Sequence, residues 1–382
     1  MKQKILGGII NSLPTNPNVF KGKGSEYHIV CNEINTVAIN SGHPFVYLDG
    51  NMYLFTGLHW ERIEEQELKV FMKYAFAKIC GDSCLASRKE TVNGLTAQMP
   101  YTAMMLDVKQ ATGKINFMNG TLDLGTMTLG RHDWQDYFRY VLPYGYSASA
   151  QCPMFLSYLN EVVPEKECRM VLAEYVGLLF MPNLKLEKVL FLYGAGCNGK
   201  SVFVDIIEAL VGKDNISHES LSDLCGEYGA NSRSNLAGKL LNTYSDVAPN
   251  AFAGDLFKRI ASGEPVSAKI LYKDVTTLTD YAKMMFCLNE LPRTKDNSNG
   301  FFRRFLIAPF NVRIPKNRID PDLARKITSS ELPGIMNWVL QGRARLAKNR
   351  RFTDSPMMDK ALKDYRARNS KGKSKLLLPP FV

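Results

Sequence analysis

No other segment narrows the choice of fold as much as residues 194–201. They read Gly-Ala-Gly-Cys-Asn-Gly-Lys-Ser and match the pattern G-x-x-x-x-G-K-[ST]. A hydrophobic run at 188–193 precedes the loop, and an amphipathic segment at 200–211 follows it. In such a strand–loop–helix unit, backbone N–H groups and the positive end of the helix converge on an anion. The context predicts a phosphate-binding loop in a parallel α/β sheet.

The residue types of this loop suit a nucleoside triphosphate with its magnesium ion. Lys200 is expected to neutralise charge on the β- and γ-phosphates, and Ser201 to ligate Mg²⁺. The segment Thr294-Lys295-Asp296 only approximates a guanine-specificity signature, because its Asp stands one residue early. ATP and Mg²⁺ are therefore the expected ligands. The remaining residues expected to surround the phosphates are Gly194, Gly196, Asn198 and Gly199.

Two later hydrophobic segments each end in a polar residue that could complete an ATPase. Asp246 ends the strand expected at 239–245 and is a candidate second group for Mg²⁺. The alternative is a turn acid or helix cap, since acids often end strands as turn formers. Asn289 ends the strand expected at 283–288 and could position the attacking water, or it could simply begin the next turn.

An arginine pair precedes the last expected strand, at 305–309. Arg304, or its neighbour Arg303, could act as an arginine finger towards the nucleotide of an adjacent subunit. The alternative is a surface arginine pair that forms ion pairs where the strand begins.

The rest of the chain divides into segments of different character. Residues 1–60 read as short strands and turns, Glu64–Ile79 as a helix, and 91–150 as turn-rich sequence. Two helices broken near Pro164 are expected over 153–180. Beyond the sheet, Asp320-Pro321 is a helix-start signal, and helices follow at 331–348 and 357–368. A further helix is expected over 252–262.

Four motifs within 194–310 resemble, in order, those of superfamily 3 helicases: Gly-Ala-Gly-Cys-Asn-Gly-Lys-Ser, Asn-Thr-Tyr-Ser-Asp, Cys-Leu-Asn-Glu-Leu-Pro and Phe-Arg-Arg-Phe-Leu-Ile-Ala-Pro-Phe. The chain is most similar to the C-terminal half of phage, plasmid and poxvirus primase–helicases. The resemblance implies an AAA+-like P-loop NTPase core at 186–315. An N-terminal α+β lead-in domain at 1–150, a helical collar at 151–185 and a C-terminal helical basic segment at 316–382 would surround it.

The resemblance also implies a mechanism. Protomers would assemble as a ring, expected to be a hexamer, with ATP between Lys200, Ser201, Asp246 and Asn289 of one copy and Arg304 or Arg303 of the next. The segment 262–274 resembles the approach to a DNA-binding hairpin, with Lys273 near its tip and Lys269 before it. These lysines would hold a single DNA strand in the channel. The alternative is a solvated hairpin, since lysine often marks exposed strands.

Two departures from the family pattern qualify this interpretation. The second strand ends in Ser245-Asp246, with one short acid where relatives commonly carry an acidic pair or Ser-Glu. This keeps metal binding but leaves water activation by Asp246 open. No zinc ribbon or strand-borne carboxylate pair marks a primase module in the first 185 residues, so a separate primase or initiator is an expected partner.

Charge adds a second candidate DNA contact. The chain has 48 Lys and Arg against 37 Asp and Glu, 48 − 37 = +11, and 12 basic and 3 acidic residues (+9) fall within 343–375. That excess predicts contact with duplex DNA. The alternative is a collar helix with a solvated basic face.

Composition favours a cytoplasmic location, in a bacterial or host cell. No segment approaches the ~20 apolar residues of a membrane helix, and the eight cysteines are scattered as free thiols in a reducing compartment would be.

An ATP-dependent DNA helicase of phage, plasmid or mobile-element replication is the expected function. Alternatives are an initiator or packaging-type ATPase that remodels DNA complexes, a nucleotide-dependent DNA clamp with weak hydrolysis, and a small-molecule phosphotransferase.

Overall fold

The computed structural model describes residues 1–20, 26–48, 50–103, 110–182, 184–245, 254–269, 275–294 and 296–371. The chain forms two compact units, Met1–Val141 and Leu142–Val382. The expected boundary near residue 150 lies nine residues beyond this division, and the expected collar, core and C-terminal segments all fall in the second unit. None of the helices in the described residues is long and apolar enough to cross a membrane.

The first unit contains helices and two small antiparallel sheets. Strands β1–β3 form one sheet and β4–β6 the other. Its elements are α1 (Lys2–Ser12), α2 (Tyr27–Asn40), β1 (Phe45–Leu48), β2 (Asn51–Phe55), β3 (Trp60–Ile63), α3 (Glu65–Cys80), α4 (Ser83–Ala86), α5 (Lys89–Thr102), β4 (Lys114–Phe117), β5 (Gly120–Asp123) and β6 (Thr128–Gly130).

The expectation of strands and turns over residues 1–60 was wrong for two helical segments, although β1, β2 and the start of β3 lie where strands were expected. Helices α1 and α2 form there, although α1 contains two adjacent glycines and α2 is rich in β-branched residues. Burial decides the outcome: Leu6 and Ile9 of α1 lie in the same core as Val30 and Ile34 of α2. Tertiary packing of one apolar face outweighs the weak helix propensity of Gly, Val and Ile.

The turn-rich assignment of residues 91–150 was also wrong at its start. Helix α5 continues to Thr102 through Gly94 and Pro100. A β-carbon at Gly94 would lie 2.1 Å from the Tyr27 ring, so only glycine lets α2 and α5 approach this closely. A residue that reads as a helix breaker is therefore required by packing between two helices.

The second unit is built on a five-stranded parallel sheet in the order β13-β7-β12-β9-β8. The expected strands are confirmed, as are the helix at 200–211 and the helix expected over 252–262, which is described from Gly254 onward. The parallel sheet places them in a mixed α/β fold. The elements up to the end of the sheet are α6 (Pro153–Val162), α7 (Lys166–Leu178), β7 (Val189–Tyr193), α8 (Lys200–Val211), β8 (Ile216–Ser217), α9 (Leu221–Cys225), α10 (Ala230–Ser234), β9 (Leu241–Ser245), α11 (Gly254–Ser262), β10 (Val266–Lys269), β11 (Val275–Leu278), β12 (Lys283–Leu288), α12 (Asn299–Phe302) and β13 (Phe305–Pro309).

The central strands carry almost no polar side chains because both of their faces are covered. Every residue of β12 after Lys283 is buried, as are the first four residues of β7. Phe191 of β7 stacks on Phe305 of β13 with ring centroids 4.8 Å apart and lies 5.8 Å from Phe286 of β12. Continuous apolar strands of this kind are typical of parallel sheets with helices on both sides.

Helices from both flanks of the core pack together in the second unit. They include α13 (Leu323–Ser330), α14 (Leu332–Asn349) and α15 (Pro356–Lys371), which follow the sheet. Helix α14 lies along α7, and Leu346 shares a cluster with Leu178. Three glutamates bond across the long gap in sequence between these flanks: Glu331 accepts hydrogen bonds from the N–H groups of Met154 and Phe155, Glu174 from Arg345 and Thr353, and Glu165 from Ser355 and Met357.

Candidate functional site

The glycine-rich loop lies at the carboxyl edge of the parallel sheet, between β7 and the first turn of α8. Lys200 opens α8, is almost fully buried, and turns its Nζ back into the loop. There it donates to the carbonyl oxygen of Gly194 at 2.5 Å and to Oδ1 of Asn198 at 3.0 Å, and it lies 3.3 Å from Oδ1 of Asn289. The structure thus brings together two candidates that are 89 residues apart in the sequence.

A tyrosine of α6 contacts the loop from one side. The hydroxyl of Tyr158 in α6 donates to the carbonyl oxygen of Gly199 at 2.6 Å, and burial raises the pKa of Tyr158 above its ordinary range. Gly199 has φ 84°, and a β-carbon there would lie 2.8 Å from Val162. Only glycine combines this backbone conformation with so close a contact, so α6 and the loop are fitted to each other.

The side chain of Asn198 forms hydrogen bonds within the protein instead of facing the solvent. Its side chain is buried, its Nδ2 donates to the carbonyl oxygen of Phe310 at 2.7 Å, and its Oδ1 accepts from Lys200. A hydrogen bond from the N–H of Ile314 to the carbonyl oxygen of Cys197 adds a second tie. The side chain of Asn198 therefore fastens the loop to the segment after β13.

A cavity of about 480 Å³ opens beside the loop, and its lining combines polar and apolar side chains. Gly196, Lys200, Ser201 and Asn289 are among the lining residues, as are the apolar residues Val162 of α6, Ile314, Ile319 and Leu323. Nucleotides likewise combine charged phosphates with a flat base.

A surface ion pair joins two segments that line the cavity. Nη2 of Arg318 lies 3.0 Å from a carboxylate oxygen of Glu161 in α6, and both residues line the cavity. Because both side chains are well exposed, this pair adds little stability. It marks the place where the segment after the core meets the helix that precedes it.

The expected magnesium ligands are only partly described. Ser201 lies at the start of α8 with an exposed side chain that lines the cavity, so its hydroxyl is available as an oxygen donor of the kind that Mg²⁺ prefers. Ser245, at the end of β9, lines the same cavity. Asp246 lies outside the described residues. The oxygen donors described beside the loop are compatible with a magnesium ion.

The arginine pair divides into one buried and one exposed residue. Arg304, the first choice as a finger, is 7% exposed, and its guanidinium donates to the carbonyl oxygens of Lys258 and Gly300 and to Oγ of Ser262. The side chain of Arg303 is 60% exposed and lies 2.5 Å from a carboxylate oxygen of Glu187. Of the two, only Arg303 has a guanidinium that could reach a neighbouring chain.

The hairpin expected from the sequence is formed by β10 and β11, which pair antiparallel, with Lys269 opposite Val275. Lys269 ends β10 and is exposed, whereas Lys273 lies outside the described residues. Buried Arg233 of α10 holds the base of the hairpin: its Nε donates to the carbonyl oxygen of Ser267 at 2.7 Å and its Nη1 to that of Leu224.

Sequence reasoning missed the cavity-lining residues that lie outside the loop and the sheet. Tyr158 and Val162 lie in what reads as a plain amphipathic helix, and Ile319 lies in a polar stretch after the sheet. Neither segment carries a motif, and only the tertiary fold brings both of them to the cavity. Only the glycine at 199, which a close neighbour requires, hinted at a partner here.

Two protein-family models match parts of the chain. Residues 37–164 match a model described as "D5 N terminal like". Residues 192–304 match a model described as "Family of unknown function (DUF5906)". The second match contains the glycine-rich loop, Asn289 and the arginine pair.

A curated protein of Acanthamoeba polyphaga mimivirus, "Putative helicase L207/L206", is 22% identical to this chain over 194 residues. The match covers 47% of this chain and 19% of that protein, so the aligned part is about a fifth of the relative's length.

Solved structures of the NrS-1 C terminal region have a similar fold. One apo structure has a TM-score of 0.52 at 10% identity and covers 84% of this chain and 74% of that chain. An A form apo structure has a TM-score of 0.54 at 10% identity, with 87% and 73% covered. At such identity the likeness concerns the fold alone. The D5-type match and the similarity to a protein named as a helicase agree with the resemblance to superfamily 3 primase–helicases seen in the sequence, and the NrS-1 structures share the fold.

Proposed function

We propose that this chain is the ATP-hydrolysing part of a replication helicase that moves along DNA. The observation that carries the proposal is the position of Lys200, which lines the cavity and whose Nζ lies between the loop and Asn289. A cation held among oxygen acceptors, at a helix N-terminus, is poised to exchange them for phosphate oxygens. The resemblance to superfamily 3 supplies the DNA part of the proposal.

The lining of the cavity suggests how ATP lies in it. The triphosphate would rest on the loop, with Lys200 near the β- and γ-phosphates. The base would lie against Ile319 and Leu323, because apolar side chains favour a flat aromatic ring over water. Tyr158 would contribute indirectly by holding the loop backbone at Gly199.

Magnesium would be held by Ser201 and, in our proposal, by Asp246. The ion supplies charge neutralisation across the β- and γ-phosphates. Asn289 would orient the attacking water, because its amide lies beside Lys200 at the γ-phosphate end. Since the sequence offers a single short acid directly after β9, we assign water positioning to Asn289.

Hydrolysis is proposed to be completed between copies of the chain. An arginine supplied in trans neutralises charge that develops in the transition state, and Arg303 is the accessible member of the pair. This requires a ring or another head-to-tail assembly, for which a hexamer is the expected form. Lys269 and Lys273 of the hairpin would then contact the phosphates of one DNA strand, a contact indifferent to sequence.

The first experiment is a DNA-stimulated ATPase assay with Lys200→Ala. We expect loss of ATP hydrolysis, because the charge that neutralises the phosphates is removed. Lys213→Ala is the matched control, since this exposed lysine follows α8 away from the cavity. Undiminished turnover by Lys200→Ala would contradict the proposal.

A second candidate is an ATPase that remodels DNA complexes, or a nucleotide-dependent clamp, without processive unwinding. The single short acid after β9 favours it, because water activation by Asp246 is in doubt. A forked DNA substrate distinguishes the two: a helicase separates the strands in the presence of ATP, and a clamp binds the fork without separating them.

A further inference from the structure

Glu187 lies just before β7 and contacts both arginines that precede β13. One of its carboxylate oxygens lies 2.5 Å from Nη2 of Arg303 and 3.6 Å from Nη2 of Arg304. Lys188 adds a hydrogen bond from its Nζ to the carbonyl oxygen of Arg303 at 2.5 Å. The start of β7 and the start of β13 are therefore joined by charged side chains as well as by the parallel ladder.

The two arginines are held very differently. Arg304 keeps its bonds to α11 and α12 whatever Glu187 does, because it donates to Lys258, Ser262 and Gly300 as well. The guanidinium of Arg303 pairs with the carboxylate of Glu187, and both members of that pair are partly exposed. An exposed ion pair contributes little net stability, so the bond from Arg303 to Glu187 is easily exchanged.

The backbone at Glu187 has an unusual conformation. Its φ is 53°, in the left-handed region that residues with a β-carbon rarely adopt. Such conformations persist where the surrounding structure maintains them, and they concentrate at functional positions. At Glu187 this conformation accompanies a carboxylate that faces two arginines.

We infer that Glu187 is a positioning residue for the finger arginine: it holds Arg303 within its own chain and releases it when a triphosphate in the neighbouring copy competes for the guanidinium. A γ-phosphate carries more charge than a carboxylate and accepts the same planar donors, so the exchange is favourable when nucleotide is present. On release, the carboxylate still has Arg304 beside it and is not left without a cation. The inference rests on the proposed hydrolysis between copies of the chain.

The test separates the chain that donates the arginine from the chain that hydrolyses ATP. The donor carries Lys200→Ala, so it supplies Arg303 but hydrolyses nothing. The acceptor carries Arg303→Ala, so it can hydrolyse only with an arginine from its neighbour. Mixing the two should restore part of the ATPase activity.

A second donor carries Lys200→Ala together with Glu187→Gln, which keeps the size of the side chain and removes its charge. We expect kcat/KM of the mixture to rise about two- to fivefold, because Arg303 no longer has to leave a carboxylate. A merely structural role for Glu187 would lower the activity or leave it unchanged. The ATPase activity is measured in the acceptor chain, whose own Glu187 is intact.

The matched control donor carries Lys200→Ala with Glu65→Gln, which removes one carboxylate from an exposed ion pair with Lys69. It should behave like the first donor, and equal melting temperatures of all donors exclude a folding defect. Equal kcat/KM for the mixtures whose donors carry or lack Glu187→Gln would overturn the inference while leaving the proposed function intact. Mixtures that recover no activity would overturn both the inference and the arginine supplied in trans. The proposal of ATP hydrolysis is tested separately, because it requires only that the homogeneous Lys200→Ala protein loses activity.

Discussion

Nζ of Lys200 lies 3.3 Å from Oδ1 of Asn289, so the ends of β7 and β12 meet at one charged group. Both residues lie at the carboxyl edge of the sheet, beside the cavity. This contact links the residue proposed to bind phosphate with the residue proposed to orient water. Substitution of Asn289 can therefore show whether ATP binding and turnover depend on different members of this contact.

Asn289→Ala should leave ATP binding nearly unchanged and lower kcat on the order of 100-fold, because misplacing the attacking water costs about that much. Fluorescent-nucleotide titration measures binding, and steady-state assays measure turnover. Asn235→Ala is a suitable control, since that amide bonds to Glu219 at an exposed site. A parallel loss of binding and turnover would assign Asn289 to the fit of the loop instead.

Tyr158→Phe should raise KM for ATP and lower the free energy of unfolding by about 1–2 kcal/mol. The variant keeps the ring but leaves the carbonyl oxygen of Gly199 without its donor in a buried place. Denaturant unfolding and ATPase kinetics measure the two effects. Tyr228→Phe, at a side chain that is 86% exposed, should change neither quantity; an unchanged KM in Tyr158→Phe would remove the tyrosine from the site.

Lys269→Ala should reduce the stimulation of ATPase activity by single-stranded DNA while leaving the DNA-free rate unchanged. The lysine ends β10 in the hairpin and lies far along the chain from the loop, so only the DNA contact should weaken. The salt dependence of DNA binding should become shallower, with the slope reduced by about 0.7 for one lost phosphate contact. An identical slope would indicate that the hairpin is merely solvated.

The basic helix α15 offers a separate test of duplex binding. Lys360, Lys363 and Arg368 are exposed on it, whereas its Met358 and Tyr365 are buried against the rest of the unit. Replacing these three cations with Gln should weaken duplex binding and flatten its salt slope without unfolding the helix. Substitution is preferable to truncation, because removing α15 would also expose the core that it covers. Unchanged duplex affinity would favour a solvated basic face.

Acid should selectively weaken the contact between α11 and the segment before α12. Burial raises the pKa of the Asp296 carboxyl, but hydrogen bonds from Lys258 and Ser298 outweigh it and lower the pKa to about 2. The carboxylate therefore stabilises the fold fully above its ordinary pKa of 3.8, and this contribution is lost as the pH falls from there to about 2.

Asp296→Asn should thus lower the free energy of unfolding by about 1 kcal/mol or less at neutral pH, and should not change it near pH 2. Urea unfolding of both proteins at several pH values measures the difference. Asp255→Asn is the matched control, because Asp255 pairs with the same lysine but is 90% exposed. A constant difference between wild type and Asp296→Asn across the pH range would contradict the assignment.

The sequence was sufficient to predict the sheet and the loop because their signals are local. Short apolar runs bounded by turn residues, such as 284–288, are typical of buried strands, and the loop carries its own glycines. The N-terminal helices were missed because Gly7 and Gly8 read as breakers, whereas the burial of Leu6 and Ile9 that outweighs them is a tertiary effect.

The cavity lining outside the loop and the difference in burial between the two arginines were not accessible from sequence. Residues 162 and 319 both line the cavity although they lie more than 150 positions apart, and no pattern links them. Adjacent arginines look alike in the sequence, yet the chain buries Arg304 and exposes Arg303. That difference depends on tertiary contacts with Ser262 and Glu187.

The glutamates that join the two flanks of the core also set an order of assembly. Glu331 bonds to Phe155 across 176 residues, and Glu165 bonds to Met357 across 192. Contacts between such distant positions form late, because a long loop must close before they can contribute. During synthesis, α6 cannot make these contacts until helices that follow the sheet have been made. The nucleotide cavity is therefore completed only after those segments have left the ribosome.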